Sequence, residues 1–174
     1  MQNVDEPELI ARSISDDTEA YADLVNRYKN AVYHHCFAIV RDEDVAKDIA
    51  QETFISAFYN LSRYNQKYRF STWLFKISTN KCLNYLKRKG KEIAADDNLI
   101  ATIASHEPGP HTKALHAELH AAVQTLRPKY QAVISLHYWQ GLDYAATAAA
   151  MDVPTNSVRV WLMRAKEELR KELA

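Results

Sequence analysis

Glycine is nearly absent: the 174-residue chain holds three, at positions 90, 109 and 141, and none before position 90. Glycine chiefly marks turns and helix ends, so long stretches without it favour helices. The scarcity excludes the glycine-rich phosphate cradles G-x-x-x-x-G-K-[ST] and G-x-G-x-x-G. Neither G-x-S-x-G nor H-E-x-x-H occurs. Apolar residues make up 47% of the chain, enough to bury a core. The length allows one domain or two small ones. No run approaches the ~20 apolar residues of a membrane span. The acidic start, MQNVDEPEL, lacks the layout of a secretion signal. Cys36 and Cys82 form neither a disulfide framework nor a metal spacing. A reduced, cytoplasmic protein without a cofactor is expected.

The apolar spacing then sorts the chain into helices. From Thr18 to about Val40, Tyr21, Leu24, Val25, Tyr28, Val32, Cys36 and Ile39 recur every three or four residues, with Ser15–Asp17 as cap candidates. A second helix is predicted from about Asp42 to Leu61, its acidic first turn suiting the positive helix start. A third runs from a Ser71 cap to Gly90. Residues 91–112, with Pro108-Gly109-Pro110, read as a linker. Helices at about 113–126 and 128–139 follow, the latter ending at Gly141. Two short helices around a turn at Met151–Pro154 then form a helix-turn-helix, whose second helix can enter a DNA major groove. On it Val158, Leu162, Ala165, Leu169 and Leu173 form the inward seam, and Asn156, Arg159, Val160 and Met163 point away. A plain helical hairpin has the same pattern. The fold class is therefore all-α: two small helical domains, a first of three helices and a C-terminal helix-turn-helix, joined by a linker.

Zero net charge conceals strong segregation. Residues 1–52 carry −7, residues 53–91 carry +9 with no acidic side chain, residues 92–126 carry −4 and the remainder +2. Such a basic block reads as the footprint of a polyanion. It also holds nine of the eighteen aromatic residues. Cations following a backbone and rings stacking on unpaired bases suit single-stranded nucleic acid. The alternative is that these rings are core. That alternative is weakest for Tyr64, Tyr68 and Phe70, in the loop-like SRYNQKYRF. A protein engaging melted and intact DNA together is a transcription initiation factor.

The segments DEDVAKDIAQETFISAFYNL (42–61) and FSTWLFKISTNKCLNYLKRK (70–89) resemble the second conserved region of bacterial sigma factors. Residues 126–169 resemble the fourth. With only a linker between them, the chain resembles the extracytoplasmic-function group of the sigma-70 family. The resemblance implies domains at 1–90 and 113–174 around the 91–112 linker. It implies that Asp44, Asp48, Gln51, Glu52 and Phe54 dock on the clamp helices of the polymerase largest subunit. It assigns the melted −10 element to the stretch from Tyr64 to Asn80. In that stretch and just beyond it, Lys67, Arg69, Lys76, Lys81, Lys87 and Arg88 serve as backbone contacts or, for some of them, are merely solvated, Ser71 and Asn80 serve as hydrogen-bonding groups for an extruded base, and Phe70 and Trp73 are part of the matching motif, Trp73 mainly packing. Leu126, Tyr130, Val133 and Ile134 match helices that hold the polymerase flap and pack the domain. Asn156, Ser157, Arg159 and Arg164 match the −35 recognition helix. Arg159 is the base-reading candidate, and Arg164, Lys166 and Arg170 touch phosphates or stay solvated. Core polymerase, melted and duplex promoter DNA, and an anti-sigma protein are the implied partners.

The sequence departs from the family pattern in places. Ala145-Ala146-Thr147-Ala148 stands where a Glu-Ile-Ala step is usual. Val160-Trp161 replaces a Ser-Arg pair, with Trp161 expected to flank the core. Asn84 replaces a frequent Asp. His116 and His120 are spaced either to share a metal or as plain exposed helix histidines. A stand-alone helix-turn-helix regulator is opposed by the clamp-like helix and the basic aromatic block. A catalytic domain is opposed by the lack of any nucleophile–base or metal spacing.

Overall fold

A computed structural model describes the backbone of residues 5–95 and 113–173 and the side chains of residues 5–90 and 118–173. Among the described residues every regular element is helical. The chain runs α1 (Glu6–Ile14), α2 (Thr18–Val40), α3 (Glu43–Asn60), a 3-10 turn (Leu61–Arg63) and α4 (Phe70–Ala95). It continues with α5 (Lys113–Thr125), α6 (Pro128–Ile134), a π turn (Ser135–Trp139), α7 (Tyr144–Met151) and α8 (Thr155–Glu172).

Aspartate side chains explain three of the helix starts. The Asp17 carboxylate accepts from the backbone N–H of Glu19 and Ala20 at 3.1 and 3.0 Å, capping α2. The Ala20 N–H and the Arg12 guanidinium hold this carboxyl below the usual carboxylate range. Asp42 caps α3 through Val45 N–H at 3.0 Å, and Asp143 caps α7 through Ala146 N–H at 2.7 Å. Helix α4 starts one residue early. Thr72 and Trp73 donate to the Arg69 carbonyl, so Ser71 lies inside the first turn and is not the cap. The helix also runs through Gly90 to Ala95, beyond its expected end. The rest of the expected linker, with Pro108-Gly109-Pro110, lies outside the described residues. Gly141, at φ +69°, ends the α6–π segment in the left-handed region glycine favours. Asp152, at φ 55°, makes the turn between α7 and α8.

Helix α1 was not anticipated. Only Leu9 and Ile10 bury apolar side chains there, too few to show a period. It is tied to α2 by the Tyr28 hydroxyl, which donates to Glu6. Helices α1–α4 enclose the first core, where Leu24, Val32, Ile39 and Leu74 are wholly buried. The Cys36 and Cys82 thiols are buried and in contact. A hydrogen bond between them, and burial, push the Cys82 thiol far up. Helices α5–α8 enclose Val133, Leu136, Val158 and Leu162. The expected seam of α8 holds except at Leu173, which is exposed because the helix ends at Glu172. The two helical domains pack on each other, α6 against α2 and α7 along α4, and their buried apolar residues form one contiguous cluster.

Candidate functional site

Three surfaces carry the residues singled out from the sequence. On α3, Asp44, Asp48, Gln51 and Glu52 are all exposed. Glu52 reaches Lys81 of α4 at 3.2 Å. Beside them α2 and α3 open an apolar cleft of about 680 Å³, lined by Gln51, Phe54, Tyr21, Val25, Ile55 and Tyr59 among others. Phe54 is buried in the cleft wall, whereas Tyr59 is 79% exposed at its rim. The acidic edge was read from the sequence, but the cleft was not. Its signal was Ile55 and Tyr59, four residues apart on α3 and off the inward seam.

The second surface is the loop after the 3-10 turn together with α4. Tyr64 is half-buried, its ring 5.5 Å from Phe70 and 5.4 Å from Trp73. Its hydroxyl donates to the Tyr68 carbonyl at 2.8 Å, closing the loop. Tyr68 is exposed, with the Lys67 ammonium 5.7 Å from its ring centre. Phe70 corrects the sequence reading. It is 0% exposed, covered by Tyr28, Tyr64 and Trp73, and cannot meet a base without unfolding the loop. Along α4, Trp73, Lys76, Asn80 and Lys87 fall within about 60° on a wheel of about 100° per residue. They form one stripe, with Asn80 and Lys87 exposed. Ser71 sits on the opposite side, lining a cavity with Gln140, away from the stripe. Lys81 and Arg88 flank the stripe, and Arg69 is exposed at the helix start.

The third surface is α8. Asn156, Arg159, Val160, Met163, Arg164, Lys166 and Arg170 are exposed, Ser157 is half-buried, and Trp161 packs against the core edge as expected. Two tyrosines from outside the helix order its cations. The Arg159 guanidinium lies 5.6 Å from the Tyr144 ring centre, and Lys166 lies 5.3 Å from that of Tyr138. Tyr144 in turn stacks on His137 at 4.8 Å. Tyr138 and Tyr144 were not singled out from the sequence, since nothing in the spacing marks a ring placed beside another helix. Leu126, Tyr130, Val133 and Ile134 are buried and pack the domain. His120 stacks on Trp139 at 4.5 Å. The His116 side chain, and with it the paired-histidine reading, lies outside the described residues.

Two family profiles match consecutive parts of the chain: Sigma-70 region 2 over residues 24–92 and Sigma-70 region 4 over residues 116–169. The chain belongs to the sigma-70 family. Within that family it falls in the ECF group and is an alternative sigma factor, a protein of transcription initiation. It is 30% identical to the ECF RNA polymerase sigma factor SigW of Bacillus subtilis, covering 90% of each chain. It is 31% identical to the ECF RNA polymerase sigma-E factor of Salmonella typhimurium, over 92% of this chain and 90% of that one. The fold matches that of the sigma factor RpoE, solved with the anti-sigma factor NepR from Bartonella quintana. That match has a TM-score of 0.77 at 18% identity, over 88% of this chain and 96% of the other.

Proposed function

We propose that this chain joins core RNA polymerase and directs it to promoters through three separate surfaces. The exposed carboxylates Asp44, Asp48 and Glu52, with Gln51, dock on basic side chains of the clamp helices. The neighbouring apolar cleft, walled by Phe54, takes an apolar side of the same partner. The loop residues Tyr64, Lys67, Tyr68 and Arg69 and the α4 stripe of Trp73, Lys76, Asn80 and Lys87, with Arg88 beside it, hold the melted −10 strand. Cations track phosphates and the exposed rings stack on bases. On α8, Arg159 reads a base edge, with Asn156 and Ser157 beside it, while Arg164 and Lys166 hold phosphates. Residues 1–90 form the clamp and −10 domain, residues 113–174 the −35 and flap domain, and 91–112 the linker. The chain binds and positions, carries out no bond chemistry, uses no cofactor and works in the cytoplasm. Because the Bartonella relative was solved with an anti-sigma factor, an anti-sigma protein is proposed as a further partner.

The observation that carries this reading is the opposition of two faces in one small domain. An exposed acidic edge lies on α3, and a cationic stripe with no acidic residue in its sequence block lies on α4. The test is association with purified core polymerase. Asp48→Arg combined with Gln51→Ala is expected to abolish it while leaving the helical circular dichroism unchanged. Undiminished association overturns the docking assignment.

A further inference from the structure

The outward face of α8 carries an apolar patch among its polar and charged side chains. Val160 and Met163 are 40% and 53% exposed. On a wheel of about 100° per residue they lie about 60° apart, and each is at least about 100° from every member of the buried seam Val158, Leu162, Ala165 and Leu169. Residues three apart on a helix adjoin, so the two side chains form one surface. Exposed Asn156, a turn before, and exposed Glu167, a turn after, bound it at its ends. Arg159 and Lys166 flank it on one side and Arg164 on the other, all three exposed. Tyr144 and Tyr138 already hold Arg159 and Lys166 in place.

A ligand matching this face is apolar in the middle and anionic at both margins. The major groove of duplex DNA has that layout. Phosphates run along both edges, and the floor presents one apolar group, the C5-methyl of thymine. The departure at Val160-Trp161 strengthens the match. Trp161 turns to the core edge, with the Lys129 ammonium 5.3 Å from its ring centre, so it supplies no outward hydrogen-bonding group in place of the usual arginine. Valine has neither donor nor acceptor. At position 160 the hydrogen-bond pattern of a base edge therefore goes unread, and covering a polar edge with valine is unfavourable. Only a methyl group rewards it. From Val160 to Met163 the helix rises about 4.5 Å, against about 3.4 Å per base pair, so the patch covers one or two neighbouring pairs.

We infer that Val160 and Met163 select thymine, through its methyl group, at one or two base pairs beside the one read by Arg159. The inference rests on the assignment of α8 to the −35 duplex and names a base chosen there.

The test uses holoenzyme reconstituted from core polymerase and the full-length chain. A duplex promoter library randomised across the upstream element is selected for binding. Each enriched thymine is then replaced by deoxyuridine, which removes the methyl alone. The comparison protein is Val160→Ala/Met163→Ala, two exposed changes to the best helix former, so the fold is kept. Thymine should be enriched on either strand at one or two adjacent pairs. Deoxyuridine there should weaken wild-type binding about fourfold per methyl, the worth of one buried carbon group. The alanine variant should bind both DNAs equally. No enriched thymine, no cost of deoxyuridine, or the same cost in both proteins overturns the inference; if Arg159→Ala still relaxes the selected sequence, the −35 reading stands. A selected upstream sequence that neither Arg159→Ala nor the alanine variant changes overturns the −35 reading, and the inference with it. Undiminished DNA binding by the alanine variant, with weakened binding to core polymerase, gives the patch to protein and also overturns the inference.

Discussion

Acidification should unlock this molecule through one side chain. His35 has no exposed surface, and burial pushes its imidazole down to about 3. In the unfolded chain an unperturbed histidine titrates near ~6.5. The native state therefore keeps His35 neutral at pH values where the unfolded state takes up a proton. Its contribution to stability is complete above about pH 6.5, and is lost progressively as pH falls from there toward the folded value. Each pH unit inside that window costs about 1.4 kcal/mol, so going from pH 7 to pH 5 removes about 2 kcal/mol. That is a large share of the roughly 5–15 kcal/mol by which domains are stable. The assay is urea unfolding of the wild type and of His35→Gln at pH 7, 6 and 5. Glutamine supplies a donor and an acceptor but no titration. The wild type should lose about 2 kcal/mol more than the variant between pH 7 and 5. Parallel pH dependences in the two proteins would refute the reasoning, because they would show His35 to be protonated as readily folded as unfolded.

Two neighbouring aromatics should behave oppositely. Phe70→Ala should destabilise the first domain by about 3–5 kcal/mol in thermal or urea unfolding, since a wholly buried ring leaves a cavity. Tyr68→Ala should leave stability within about 0.5 kcal/mol and instead weaken single-strand binding on polymerase by about 1–3 kcal/mol. Arg159→Ala should weaken binding to promoter duplex by about 1–3 kcal/mol relative to unrelated duplex. A uniform loss on every sequence would demote Arg159 to a phosphate contact.

Periodicity made most of the helices legible. The bounds of α2 follow from seven apolar positions and an Asp17 cap, and α8 from a seam that is buried wherever its neighbours continue. Helix α1 escaped because two buried side chains carry no period. Phe70 was misread because SRYNQKYRF looks like a loop. What buries the ring is α4 starting at Phe70 itself, under Tyr28 and Tyr64. The acidic edge of α3 and the exposed face of α8 were readable from charge and helical spacing. The docking of the two domains was not. It depends on His35, Thr79 and Ser135, three polar residues far apart in sequence that meet only when both domains are formed.

The most direct measurement is run-off transcription by purified core polymerase on a promoter library, with and without the full-length chain. Addition of the chain should convert diffuse, end-dependent initiation into starts at a shared pair of upstream elements, and Asp48→Arg with Gln51→Ala should abolish that conversion. Start sites that stay the same with the chain present would contradict the account at its base.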